Sequence, residues 1–267
     1  MIKIVFFFVY LFSLLPSVSA QKIDDIINPK EVERIEKVLA ADDMHGRRVF
    51  TPDIDKAADF IINEFKSIGL QTLNNSGSYR QEFSMIRPKF ISVSAKLDAV
   101  AIDSKNIIVV TCQPELKIDQ TSGYEIAVLK PGGSLRQQAA SFIQANKNLL
   151  VMVDESFAAS FSRLISLKRV LFKTNKNVIF VLGNNIPQNF SIEAKHDITE
   201  EKAANIVGVL PGKSRSNEYV IFSGHYDHVG TGSPAEAYRH DDKDSIYNGA
   251  NDNASGTTAV IMLAKYF

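Results

Sequence analysis

The sequence predicts an α/β protein, a partial mixed-sheet domain with helices, interrupted by a small α/β insert. Three observations carry that prediction. Two amphipathic stripes of helical period stand near the amino terminus, over residues 29–41 and 53–68. Short β-rich apolar runs then recur through residues 86–203, with one helical stretch among them. Finally, the apolar run 218–223 leads directly into a loop bearing His225 and Asp227, and the tight turn 249–256 leads into a helical run, 257–267. In open α/β sheets the carboxyl ends of strands are where ligands bind.

The composition is that of an ordinary soluble protein, 45% hydrophobic and 22% charged with a formal net charge of +0. A balanced charge argues against a nucleic-acid partner, which would need a basic excess or stripe. Residues 1–20 carry Lys3, an apolar run from Ile4 to Leu15 and small residues ending at Ala20. This reads as a signal peptide cleaved after Ala20, which makes the protein secreted or periplasmic. The run falls short of the roughly twenty apolar residues that a bilayer requires, so no stable membrane span is expected after its removal. Cys112 is the single cysteine, cannot form an internal disulfide and reads as a small buried residue.

Residues 29–41 place Val32, Ile35, Val38 and Leu39 on one helical face, with Asn28 as the cap. Residues 53–68 do the same with Ala57, Phe60, Ile61, Phe65 and Ile68, and Gly69 stops the helix. Between them His45 reads as a solvated loop residue, and Asp42 and Asp43 lack the partners of a catalytic dyad. In the insert, residues 91–97 alternate, 107–110, 124–129, 149–153 and 178–182 read as strands, and 134–146 as an amphipathic helix. The basic residues of 163–176 read as a solvated face, and His196 as exposed in a polar linker. Residues 205–210 and 218–223 are expected as two strands, the second buried. His240, Asp241, Asp242 and Asp244 crowd a polar insert, 231–245, and are expected to stay solvated rather than bind metal.

His225 and Asp252 are the donor types of a zinc site, a neutral imidazole and a carboxylate brought from two loops. Asp227, two residues after His225, is placed to hold the other ring nitrogen of that histidine. The string Gly224-His-Tyr-Asp-His-Val-Gly230, followed by Tyr247-Asn-Gly-Ala-Asn-Asp-Asn-Ala-Ser-Gly256, resembles the metal-binding core of metallopeptidase family 28. The segments 39–48 and 57–70 resemble that family's amino-terminal helix pair, and 205–212 the strand before its metal strand.

The resemblance implies a zinc-exopeptidase (phosphorylase/hydrolase-like) fold whose peptidase domain comprises 21–85 and 204–267. A protease-associated-like insert would span 86–203, and the signal peptide 1–20. It implies a secreted zinc aminopeptidase acting on peptide or protein substrates, with two zinc ions in the complete site. His225 would be a ligand of one ion and Asp252 the bridging ligand, with the Asp252–Asn253 bond cis, while Asp227 would orient His225. The family's glutamate general base and remaining ligands would follow Asp252, yet no Asp, Glu or His occurs after it. The expectation is therefore the amino-terminal portion of such an enzyme, truncated before the remaining zinc ligands and inactive by itself, its last helix short of packing partners. The alternative is a non-catalytic exported remnant whose insert binds a protein partner.

Overall fold

The computed structural model describes residues 22–215, 217–232 and 244–267. The signal peptide expected over 1–20, and His240, Asp241 and Asp242 of the polar insert, lie outside the described residues. The chain divides into two units, one of the residues up to Arg80 with Ile206–Phe267, the other Gln81–Asn205.

The first unit opens with the helical turn α1 (Ile23–Ile26) and the helix α2 (Pro29–Leu39), then α3 (Pro52–Ile68). Asn28 caps α2 by accepting the Glu31 N–H at 3.0 Å. Gly69 ends α3 in the left-handed conformation at φ 86° and gives its N–H to the Phe65 and Lys66 carbonyls. Ile35 and Leu39 of α2 meet Ala57, Ile61 and Phe65 of α3 in one core. Removing a buried side chain such as Ile61 would cost about 2–5 kcal/mol. His45 is exposed as expected, its Nδ1 2.9 Å from Asp53 Oδ1. A short strand, β1 (Gln71–Thr72), follows α3.

The second unit holds two sheets. The long strands β2 (Arg80–Leu97) and β10 (Phe190–Ile206) lie side by side in the first, whose order is β3–β2–β10–β5, with β8 paired to β2. Here β3 is Val100–Ala101, β5 Glu115–Asp119 and β8 Leu171–Phe172. The second sheet runs β4 (Ile107–Val110), β9 (Val178–Leu182), β7 (Leu149–Val153), β6 (Glu125–Leu129). In it β6, β7 and β9 are parallel and β4 is antiparallel to β9. Every residue of β4 and β7 is buried, which is why these strands read as unbroken apolar runs. Ala95, Leu116 and Ile192 of the first sheet pack with Val109, Leu150 and Ile179 of the second. The second sheet's other face packs on Leu135 and Ala139 of α4 (Leu135–Gln144) and on Phe161 and Leu164.

Two sequence expectations fail in this unit. His196 is not in an exposed linker: it lies on β10 and is 3% exposed. Strand alternation explains this, since Phe190, Ile192, Ala194 and His196 all face inward. Lys168 is likewise buried rather than solvated. Its Nζ donates to the Val109 carbonyl at 3.3 Å, lies 3.4 Å from His196 Nε2 and stands 5.0 Å above the Phe90 ring. Cys112 is half-buried, its Sγ 3.5 Å from the Phe172 carbonyl.

The chain then returns to the first unit. β11 (Gly208–Val209) pairs antiparallel with β1, and β12 (Gly230–Thr231) with β13 (Ile246–Tyr247). Among the described residues these two-stranded pairs are the only sheets of the first unit, so the expected mixed sheet does not form there. The expected buried strand at 218–223 is instead an extended segment without a ladder partner, with Val220 and Ile221 each 83% exposed. Strand hydrogen bonds and strand burial both need a neighbouring strand, and no described segment provides one. The closing helix α5 (Ser255–Tyr266) is better packed than the sequence suggests: Ile261 and Met262 are buried against α2 and α3.

Candidate metal site

His225 and Asp252 converge. His225 Nε2 stands 3.1 Å from Asp252 Oδ1. The other ring nitrogen, Nδ1, lies 3.1 Å from the Asp227 backbone carbonyl and 3.4 Å from its carboxylate Oδ1. Asp227 therefore does face the far side of His225, but its closest contact is main chain. A carbonyl can only accept, so this contact places the proton on Nδ1 and leaves the Nε2 lone pair aimed at Asp252. Two acceptors 3.1 Å apart need a cation between them, either a proton or a metal ion. The separation also suits zinc, since ligand atoms about 2.0–2.2 Å from a tetrahedral ion stand about 3.3 Å apart. These residues fit the group.

Both loops are fixed by local chemistry. Gly249 enters the Asp252 turn at φ 63°, and a Cβ there would lie 2.6 Å from the Asp252 carbonyl and from His228 Cγ. The Asp252–Asn253 peptide bond is cis. The Asn253 side chain accepts the Gly256 N–H at 3.2 Å at the start of α5 and donates to the His225 carbonyl at 3.3 Å. Thr257 Oγ1 donates to the same carbonyl at 3.0 Å. Gly224 passes so close to α5 that a Cβ would lie 3.0 Å from the Gly256 carbonyl carbon. The start of α5 thus holds the histidine loop and the aspartate turn together.

Sequence reasoning missed several participants. His228 Nδ1 is 4.0 Å from Asp252 Oδ2, the carboxylate oxygen other than the one His225 approaches. Arg47 is completely buried beneath both loops. Burial lowers its pKa, against the opposing pull of the Asp227 and Asp252 charges. Burial also raises the Tyr226 phenol, between His225 and Asp227. Nothing in residue type or spacing marks an arginine as buried, so Arg47 was not legible. Asp244, in the polar insert, serves locally by accepting the Ile246 N–H at 3.0 Å. Among the described residues no group of three or more His, Cys, Asp or Glu is placed to hold a metal ion. Asp227 sits behind the His225 ring, so the converging donors are the pair alone.

The two loops thus bring together an imidazole and a carboxylate, both donor types that metal ions use. Residues 205–267 match the family model of Peptidase family M28, so this segment of the chain is similar to that family. A solved structure, a Peptidase M28 precursor from Shewanella amazonensis SB2B, is similar at 11% identity and a TM-score of 0.37. The likeness covers 91% of this chain and 61% of that one, so the chain spans less than two thirds of its neighbour's length. No curated protein matches. Among the described residues no helix is long and apolar enough to cross a membrane.

Proposed function

We propose that the chain is the metal-binding portion of an exported zinc exopeptidase that releases amino-terminal residues from peptides. His225 and Asp252 would be zinc ligands, with Asp252 the bridge of a two-ion site and Asp227 the residue that orients His225. The observation that carries this reading is the 3.1 Å approach of His225 Nε2 to Asp252 Oδ1, inside the segment that matches the peptidase family. Export rests on the signal-like residues 1–20.

Zinc, when bound, supplies Lewis acidity and a more acidic water. The chain's own residues prepare for it. The Asp227 carbonyl holds the Nδ1 proton, which keeps His225 in the ligating tautomer and fixes the ring plane. Asn253 and Thr257 hold the His225 carbonyl, which fixes the backbone from which the ring approaches Asp252. Catalytic zinc sites use three protein ligands and a positioned base, and among the described residues no group of three or more His, Cys, Asp or Glu is placed to hold a metal ion. The 267-residue chain alone is therefore proposed to bind zinc weakly and to hydrolyse no peptide.

The test is a zinc titration of the chain beside His225→Ala and Asp252→Asn, with a panel of aminoacyl anilides as substrates. Weak binding lost in both variants, without turnover, is expected. Wild-type binding by His225→Ala would remove the zinc reading. Turnover abolished by His225→Ala would overturn the inactivity.

A further inference from the structure

Arg47 lies far from the metal loops in sequence but is joined to both of them in the fold. Its Nε donates to the Tyr226 carbonyl at 2.9 Å, across 179 positions, and Tyr226 stands between His225 and Asp227. Nη1 donates to the Asn248 carbonyl at 2.6 Å and to the Leu39 carbonyl, and Nη2 to the Gly249 carbonyl at 3.0 Å. Asn248 and Gly249 open the turn that carries Asp252. One planar guanidinium thus binds the histidine loop, the aspartate turn and the end of α2 through backbone carbonyls alone. A fixed fork with five N–H donors suits that geometry, and a lysine ammonium cannot reproduce it.

The chain around Arg47 is built for the same contact. The His228 N–H donates to the Arg47 carbonyl at 3.1 Å, and Arg48 forms a parallel bridge with His228. Gly46 lies against the other ribbon, where a Cβ would stand 2.5 Å from the Tyr247 carbonyl and 2.6 Å from that of Gly230. Asn248 Nδ2 answers from the loop side, donating to the Ala40 carbonyl at 2.9 Å and to Asp42 Oδ1 at 2.7 Å. The guanidinium touches neither His225 nor Asp252 by hydrogen bond. Everything it holds is the backbone next to them.

We infer that Arg47 is a positioning residue for the metal site, setting the spacing of His225 and Asp252 by clamping the backbones of their two loops. The inference rests on the reading of those two residues as zinc ligands. It separates geometry from charge. Removing a nearby cation would by itself favour a divalent ion, whereas releasing the loops disfavours one, and Arg47→Lys keeps the charge while losing the fork.

The experiment uses the full chain with zinc and with cobalt(II), whose visible spectrum reports ligand geometry. Arg47→Lys and Arg47→Met are compared with Ile61→Ala, a core change that leaves the loops' hydrogen bonds alone. All are measured well below their unfolding temperatures. Both Arg47 variants are expected to lose about tenfold or more in zinc affinity, as when groups supporting metal ligands are removed, and to shift the cobalt spectrum. Ile61→Ala should keep affinity and spectrum despite its lower Tm. Should the Arg47 variants not fold, Asn248→Ala removes the opposing tie at a partly exposed residue, and a shifted cobalt spectrum is expected there too. Wild-type affinity and spectrum in folded Arg47→Lys and Arg47→Met, or in Asn248→Ala where those two do not fold, would overturn the inference. So would an equal loss in Ile61→Ala. His225→Ala separates the two claims. Undiminished metal binding there sinks the zinc reading and the positioning role with it, whereas loss at His225 with none at Arg47 sinks the positioning role alone.

Discussion

His225 hydrogen-bonds Asp227 through the latter's main chain, Nδ1 to carbonyl at 3.1 Å, while the Asp227 carboxylate stands back at 3.4 Å. The tautomer of the candidate ligand is therefore set by a backbone atom that no substitution at Asp227 removes. The carboxylate adds charge and a second, longer contact.

That division predicts a mild effect. Asp227→Asn should weaken zinc binding by about tenfold, the low end for a residue that supports a metal ligand. The expected order of affinities, by competition with a chromophoric chelator, is wild type, then Asp227→Asn, then His225→Ala. Equal losses in the two variants would show that the carboxylate, not the carbonyl, sets the ring.

Gly46 and Gly69 both adopt positive φ, at 67° and 86°, yet their surroundings differ. Nothing lies within 4 Å of a Cβ built on Gly69, so Gly69→Ala should cost only the conformational term, about 1–2 kcal/mol. At Gly46 the same methyl would strike two backbone carbonyls. Gly46→Ala should cost clearly more and should loosen β12 and β13. Denaturant unfolding of both variants checks the ranking, and equal midpoints would contradict it.

The helices were legible because their stripes and caps are local: Asn28, Gly69 and the Ile35 and Ile61 faces stand where the sequence places them. The β4, β7 and β9 strands were legible as apolar runs. The His225–Asp252 approach was anticipated from a motif, not from periodicity. What failed depended on partners distant in sequence. Burial of His196 follows from the register of an 80-to-206 β framework, and burial of Arg47 from carbonyls some two hundred positions away. Residues 218–223 carry the apolar character of a strand, but that character cannot say whether a neighbour exists.

That segment carries a solubility prediction. Tyr219, Val220, Ile221 and Phe222 are exposed on a stretch that has no ladder partner among the described residues, and Phe222 stacks on Phe267 with ring centres 6.0 Å apart. Unpaired apolar strands template association between chains. Ile221→Lys should raise the monomeric fraction in light scattering and change the unfolding free energy by no more than about 0.5 kcal/mol. Unaltered aggregation would place the sticky surface elsewhere.

The pH response of the second unit should centre on His196. Its burial, reinforced by the Lys168 charge, lowers the imidazole pKa to about 4. An unfolded imidazole titrates near about 6.5. Between these values the unfolded chain binds a proton that the folded chain refuses, so stability falls as pH drops from about 6.5 to 4 and changes no further from this group below that. The full separation is worth on the order of 3 kcal/mol, with no discount for solvent because the ring is 3% exposed. Asp119 and Asp154, held low by bonds from Thr121 and Ser156, lose their contributions only as pH falls into and below the ordinary carboxylate range. Comparing wild type with His196→Phe from pH 7 to 4.5 isolates the histidine from them. The wild-type unfolding free energy should decline steadily across that window and the variant's should stay nearly level. Parallel curves would mean that His196 is protonated, or exposed, in the folded state.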